Sequence, residues 1–261
     1  MIRALSTAAT GMEAQQTRLD VTANNIANTS TAGFKKSRAE FSDLMYQTQR
    51  APGAATGDGT QAPTGLQVGM GVRTAATQRM HSQGNLRQTG NPLDVAIEGR
   101  GFYPIELPSG EVAYTRDGAF KLDAEGQLVT SEGYVLSGDI SIPPDAQNVT
   151  VGADGTVSVT VPGETAVVEA GQIQLAGFPN ESGLETIGRN LYRETTASGA
   201  AVVGPPGENG TGQLAQGTLE SSNVNVVEEM IDLISGQRAY EINSRVIKAA
   251  DEMLAQTAAL K

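Results

Sequence analysis

"TANNIANTSTAGFKK", residues 22–36, interrupts an amphipathic pattern that runs unbroken from residue 2, and it does so with three asparagines, Asn24, Asn25 and Asn28, followed by Gly33 and Phe34. Upstream, the chain repeats every seven residues. Leu5, Met12, Leu19 and Ile26 form one row and Ile2, Ala9, Gln16 and Ala23 another, which predicts a helix over residues 3–27. Ala4, Ala8, Gly11 and Ala14 fall on other faces and are small enough for a neighbouring helix to come close. The asparagines end that helix. Its last carbonyls lack partners, Asn tolerates the left-handed conformation, and Gly33 supplies a turn before Phe34 anchors the chain. One amide suffices for a cap, and three on different faces exceed that need. Groups that both donate and accept can join several backbones, which suits a place where copies of one chain meet.

The C-terminal end mirrors this pattern. Val226, Leu233, Tyr240, Ile247 and Leu254 are also spaced by seven, with Met230 and Ala258 in a second row. Asn225 and Glu228 have the spacing of a capping box, so this helix is expected to start near residue 226. A further apolar set, Val227, Ile231, Ile234, Ile242, Val246, Met253 and Leu260, falls on roughly the opposite side. A helix apolar on two faces is one meant to be surrounded. The polar seam positions Gln16, Gln237, Ser244 and Asp251 either fix helix register or line a solvated bore.

Between the helices the grammar changes. Turn pairs Ser109-Gly110, Asp117-Gly118, Glu125-Gly126 and Glu132-Gly133 alternate with short strand-like runs, and Asp154-Gly155 and Pro162-Gly163 continue the style, as in an antiparallel β domain. Residues 51–65, "APGAATGDGTQAPTG", have no apolar period and read as a mobile linker or as a loop ordered only by a partner. The expected fold is α+β. Residues 1–30 and 224–261 supply the antiparallel helices of a discontinuous coiled-coil domain, residues 31–75 form a connector, and residues 76–223 form an inserted all-β domain.

Composition narrows the function. Cysteine and tryptophan are absent and His81 is the single histidine, so thiolate chemistry and most metal and general-base sites are missing. No nucleotide-binding, Ser-nucleophile or zinc-protease motif occurs, and His81 reads as a surface or strand-edge residue. The net charge of −11 argues against nucleic acid. It divides unevenly: residues 1–100 hold 10 Lys/Arg against 7 Asp/Glu, and residues 101–261 hold 8 against 22. This asymmetry reads either as an acidic solvated β surface or as a front of one copy that meets the back of another. No apolar run is long enough to span a membrane, and the N-terminal stretch does not read as a cleavable signal.

Several stretches carry a resemblance to a known family. "ANNIANTSTAGFKK" resembles the N-terminal signature of bacterial flagellar rod, hook and hook-associated axial proteins, and "SSNVNVVEEMIDLISGQRAYEIN" at 221–243 resembles their C-terminal one. "NPLDVAIEGRGFY" and "YTRDGAFKLDAEGQLVTSEGY" are similar to the β domain of hook and rod proteins, and "YQTQRAPGAATGDGTQAPTGLQVG" at 46–69 to the insertion typical of distal rod members. The resemblance implies a structural subunit, not an enzyme, that self-assembles as a homo-oligomeric helical tube and passes motor torque to the hook. Its implied partners are the proximal rod proteins, the hook protein, the surrounding basal-body ring proteins and the flagellar type III export apparatus. Its implied place is the basal body between periplasm and outer membrane, reached without signal cleavage and with no cofactor or metal. Expected self-assembly residues are Leu5, Met12, Leu19, Asn24, Asn25, Ile26, Asn28, Val226, Met230, Leu233, Gln237, Tyr240, Ile247 and Leu254. Tyr46, Pro52, Gly53 and Gly65 are expected to stiffen the rod. The alternatives are a hook or proximal rod subunit or, in another class, a secreted carbohydrate-binding or glycosidase β protein, for which 4% aromatic content offers little to stack on sugars.

Overall fold

The computed structural model describes residues 2–57, 60–138, 140–162 and 168–259. It has an N-terminal helix, a C-terminal helix and a β-rich region between them, an α+β architecture. The chain divides into two compact units. One is built from residues 1–27, 37–78 and 225–261, the other from residues 28–36 and 79–224.

In the first unit, helix α1 (Ile2–Ala27) packs against helix α2 (Val226–Ala259). Helix α2 begins where the cap predicts, the Asn225 side chain accepting the Val227 amide proton at 3.1 Å. Strand Ser37–Asp43 pairs with Val72–Arg79. The 46–69 segment is neither a structureless linker nor a bare loop. It is an antiparallel hairpin, Tyr46–Arg50 against Leu66–Gly69, extended by Ala55–Gly57 against Thr60–Gln61. Gly53 and Ala54 exchange backbone hydrogen bonds with Ala62, which is buried. Gly65 is required locally, because a Cβ there would stand 2.8 Å from Pro52 Cδ and 2.9 Å from the Arg50 carbonyl oxygen. Backbone pairing inside a polar segment leaves no apolar period to read, which is why the sequence hides it.

In the second unit every strand pairing among the described residues is antiparallel. A seven-stranded sheet orders Lys121–Leu122, Leu128–Val129, Val135–Leu136, Tyr103–Glu106, Val112–Thr115, Leu191–Arg193 and Glu185–Gly188. A three-stranded sheet orders Asn148–Val151, Thr156–Thr160 and Val168–Gln172. Large apolar side chains fill the space between them. Tyr103, Ile105, Val157, Val159, Ile173 and Leu175 have no exposed surface, and Ile97, Phe120 and Leu136 have almost none. Ser109-Gly110, Glu125-Gly126, Glu132-Gly133 and Asp154-Gly155 close hairpins as expected, each glycine at positive φ, whereas Asp117-Gly118 joins two strands that do not pair with each other. The Pro162-Gly163 turn extends beyond the described residues, as does Leu260.

His81 departs from the surface reading. It lies half-buried between the rings of Phe102 and Tyr192, at 5.6 and 5.5 Å. Its Nδ1 is buried with no hydrogen-bond partner. Burial, with Lys35, Arg79 and Arg116 adding positive charge nearby, pulls its pKa down to about 4.

Candidate assembly site

The sequence directs attention to the two helices. Contacts along them run in opposite order: Gly11 lies at Asn243, Leu19 and Gln15 at Gly236, Arg18 at Asp232 and Asn25 at Glu229. The helices are therefore antiparallel. Their seam is made of small and polar groups. Among the described residues, Ala8, Ala14, Thr22 and Asn25 are buried on α1, and Glu229, Gly236 and Ala250 on α2. A Cβ on Gly236 would stand 3.0 Å from Leu19 Cδ2, and one on Gly11 would stand 3.0 Å from Asn243 Nδ2, so at both points the facing side chain occupies the space beside the glycine. The Gln15 Oε1 atom is buried in this region without a hydrogen-bond partner.

Against this seam, the expected residues divide. Leu5, Met12, Leu19 and Ile26 are half-buried, as are Leu233, Ile247 and Leu254. The second predicted rows are displaced. Ala9, Gln16 and Ala23 are exposed on α1, and Met230 is 53% exposed on α2, where Glu229, Gly236, Asn243 and Ala250 take the row instead. Val226, Gln237 and Tyr240 are exposed as well. A seven-residue repeat gives the spacing of a row but not its phase when a helix is apolar on two sides, and the space that facing side chains occupy favours the phase carrying glycine and alanine. Gln16, Gln237 and Asp251 lie exposed rather than between the helices.

Much of the rest of α2 is apolar: Val227, Ile231 and Ile234 lie opposite the seam, and Val246 flanks it, beside Arg3, Ala4, Thr7 and Ala8 of α1. Val227, Ile231, Ile234, Ile242, Val246 and Met253 are 42 to 66% exposed and recur at helical spacing along α2. Each residue of this stripe keeps about half of a branched or long apolar side chain in water, about 1–2 kcal/mol short of what full burial provides.

The asparagines of the opening stretch do different work. Asn25 is buried, donates through Nδ2 to the Ser37 carbonyl at 2.9 Å and to Glu229 Oε2 at 3.1 Å, and accepts the Ser37 amide proton at 2.9 Å. It therefore joins α1, α2 and the first strand of its unit. In the second unit, Asn28 accepts from the Thr31 amide and hydroxyl, both at 3.2 Å, in the turn that follows α1. Gly33 continues that turn at φ +67°, its amide on the Glu220 carbonyl at 2.8 Å, and a Cβ there would lie 2.8 Å from the Arg116 backbone. Asn24 is exposed on α1. Tyr46 is 55% exposed at the base of the hairpin, and Gly53 sits at φ +79° with open space around it.

One cluster in the second unit escaped sequence reading. Glu220 takes Lys35 Nζ on one carboxylate oxygen and Arg116 Nε on the other, each at 2.6 Å, and the Gly84 amide at 2.7 Å. All three side chains are at most 4% exposed. Lys35 also donates to the Ser82 carbonyl, and the Arg116 guanidinium donates to the carbonyls of Ile97, Gly99 and Gly101. Burial pulls the Lys35 pKa down against the raising effect of Glu220. Burial alone would raise the Glu220 pKa, but Arg116 and Lys35 together hold it below its ordinary value. Asn223 completes the frame, accepting the Lys36 amide proton at 2.7 Å and donating to the Met80 carbonyl at 2.8 Å. The partners stand up to 185 positions apart, so no local spacing announces them. Among the described residues no group of His, Cys, Asp and Glu could hold a metal ion, and no helix is long and apolar enough to cross a membrane.

Known proteins share much of this sequence. Residues 5–35 match the family described as "Flagella basal body rod protein", residues 96–159 the "Flagellar hook protein FlgE/F/G D1 domain", and residues 215–260 the "Flagellar basal body rod FlgEFG protein C-terminal". The flagellar basal-body rod protein FlgG of Caulobacter vibrioides is 51% identical over 261 residues, with both chains covered completely. FlgG of Buchnera aphidicola subsp. Schizaphis graminum is 53% identical over 254 residues, 97% of this chain and 98% of its own. The rod protein FlgF of Caulobacter vibrioides is 38% identical over 250 residues, covering 93% and 92%.

Proposed function

The chain belongs to the flagellar basal-body rod protein family, and on that footing we propose that it is a distal rod subunit whose two helices pack among those of neighbouring copies in a tubular drive shaft. It is a structural protein of the flagellum, serving motility, and not an enzyme. Within one organism's set, Caulobacter vibrioides, identity is higher to FlgG than to FlgF, which favours the distal over the proximal reading.

The exposed stripe of α2 carries the proposal. A single chain offers α1 to one face only, and neighbouring copies of the same helices are the available cover for the other. In this reading the tube contacts proximal rod proteins below, the hook protein above and the ring proteins around it. The subunits reach it through the flagellar type III export apparatus into the space between inner and outer membranes. The 46–69 hairpin, with Tyr46, Pro52, Gly53 and Gly65, fills gaps between adjacent copies and stiffens the shaft.

The test is polymerisation of the full chain followed by sedimentation and electron microscopy. Ile231→Asp with Ile234→Asp is expected to raise the concentration needed for polymer at least about 10-fold, because each half-exposed side chain forfeits about 1–2 kcal/mol of burial and every 1.4 kcal/mol is tenfold. The thermal stability of the β unit stays unchanged. Normal polymers from the double variant would sink the proposal.

A further inference from the structure

The apolar rows of both helices repeat every seven residues, so apolar contact alone accepts α2 displaced along α1 by a whole heptad, about 10 Å. One displacement carries Glu229 from Asn25 to Arg18 and Gly11 from Asn243 to Gly236, which makes a salt bridge and lets two glycines meet. The other places Asn25 on Gly236 and Gly11 on Ala250. Leu19 leaves Gly236 for Glu229 in the first slip and for Asn243 in the second, so shape opposes each slip in part and the polar contact must supply the rest of the selection. Where α1 of one copy meets α2 of another, as the proposed tube requires, such misregistered pairings compete with the correct one.

The polar contact does not repeat. Asn25 is 2% and Glu229 6% exposed, and they meet at 3.1 Å, while the other Asn25 bonds fix it to the Ser37 backbone. In either slip Glu229 leaves Asn25, and an Nδ2 proton already aimed into the helix interface loses its acceptor. Arg18 is meanwhile held on Asp232 at 2.6 Å, so the group that would reward the first slip is engaged one turn away from Glu229. A single buried polar pair that lowers stability but selects one register is an established use of such groups in paired helices.

We propose that Asn25 and Glu229 form a register key that selects one heptad alignment of α1 with α2, within a chain and between copies of it. The key rests on the assembly reading above and assigns to these two residues the role that the sequence suggested for Gln16, Gln237, Ser244 and Asp251.

The chain contains no cysteine, so engineered pairs report register without background. Gly11→Cys with Asn243→Cys reads the observed alignment; Gly11→Cys with Gly236→Cys, and Gly11→Cys with Ala250→Cys, read the two slips. Each pair is placed in the full chain and co-assembled as a minor fraction with unaltered copies, then oxidised and mapped by mass spectrometry. With Asn25 and Glu229 intact, the first cross-link should exceed the others by about tenfold, the discrimination that one charge-assisted hydrogen bond provides. Adding Glu229→Leu should bring the three yields within about threefold, and Glu229→Gln, which keeps an acceptor, should restore the preference. Asn25→Val with Glu229→Leu removes both polar partners and leaves no orphan; it should scramble register in the same way. A single register in all four backgrounds overturns the key, and so does exclusion of both apolar variants from polymer, which would make the pair a folding requirement. Failure of the unaltered chain to polymerise, with its helices ordered in solution, would instead sink the assembly reading, and the same cross-links on that dissolved chain would decide the key.

Discussion

The β unit and the helical unit bury different kinds of residue. Between its sheets the β unit encloses Tyr103, Ile105, Phe120, Val157, Ile173 and Leu175 almost completely. The helical unit encloses Ala8, Ala14, Thr22, Asn25, Glu229 and Ala250, and leaves Ile231, Ile242 and Val227 at 60% exposure or more. Burial stabilises roughly in proportion to apolar area, and ordering a backbone costs about 1–2 kcal/mol per residue whatever the side chain. The β unit has what it needs within one chain. The helical unit keeps its largest apolar groups for something outside it.

The contrast can be broken most severely at the ion cluster. Glu220→Ala leaves Lys35 and Arg116 as buried cations without their shared carboxylate and is expected to cost the β unit about 3–5 kcal/mol in denaturant unfolding. Loss of the helices instead, with the β unit intact, would contradict the assignment. Next is Ile105→Ala, a fully buried side chain, at about 2–5 kcal/mol in the same assay.

His81 gives a pH signature of about 1–3 kcal/mol. Its folded-state pKa, about 4, lies below the ordinary value of 6.5, so the unfolded chain binds more protons between those limits. Stability of the β unit should therefore fall as pH drops from about 6.5 to 4, and His81→Phe should flatten that part of the profile. Glu220 adds a separate loss at lower pH, since its depressed pKa preserves the cluster until pH falls through it. The smallest effect sharpens the comparison from the other side. Val227→Ser, at a residue 66% exposed, should change single-chain stability by less than about 0.5 kcal/mol while weakening polymer.

The sequence made the helices legible because both ends carry long repeats with polar stops, and the hairpin region because turn pairs punctuate it. The bare stripe of α2 was legible as well: six of its residues, from Val227 to Met253, could be named from spacing alone. The phase of the seam was not. Two apolar faces at seven-residue spacing leave the choice to Gly11, Gly236 and Ala250, whose value lies in the side chain they lack. Glu229 was hidden by its charge, which a seam reading assigns to solvent. Lys35, Arg116 and Glu220 were hidden by distance along the chain, and the 46–69 hairpin by backbone pairing that needs no apolar pattern. Of the three asparagines only Asn28 lies in the turn that ends α1, none adopts the left-handed conformation, and Asn25 is a clamp between elements of one unit.

The account turns on whether the terminal helices hold their order without neighbours. Amide hydrogen exchange on the dilute full-length chain, compared with the polymer, measures this residue by residue. Strands Tyr103–Glu106 and Thr156–Thr160 should be protected in both samples, while the amides of α1 and α2 should exchange rapidly in the dilute chain and become protected only in polymer. Helix amides protected in the dilute chain as strongly as those strands would contradict it.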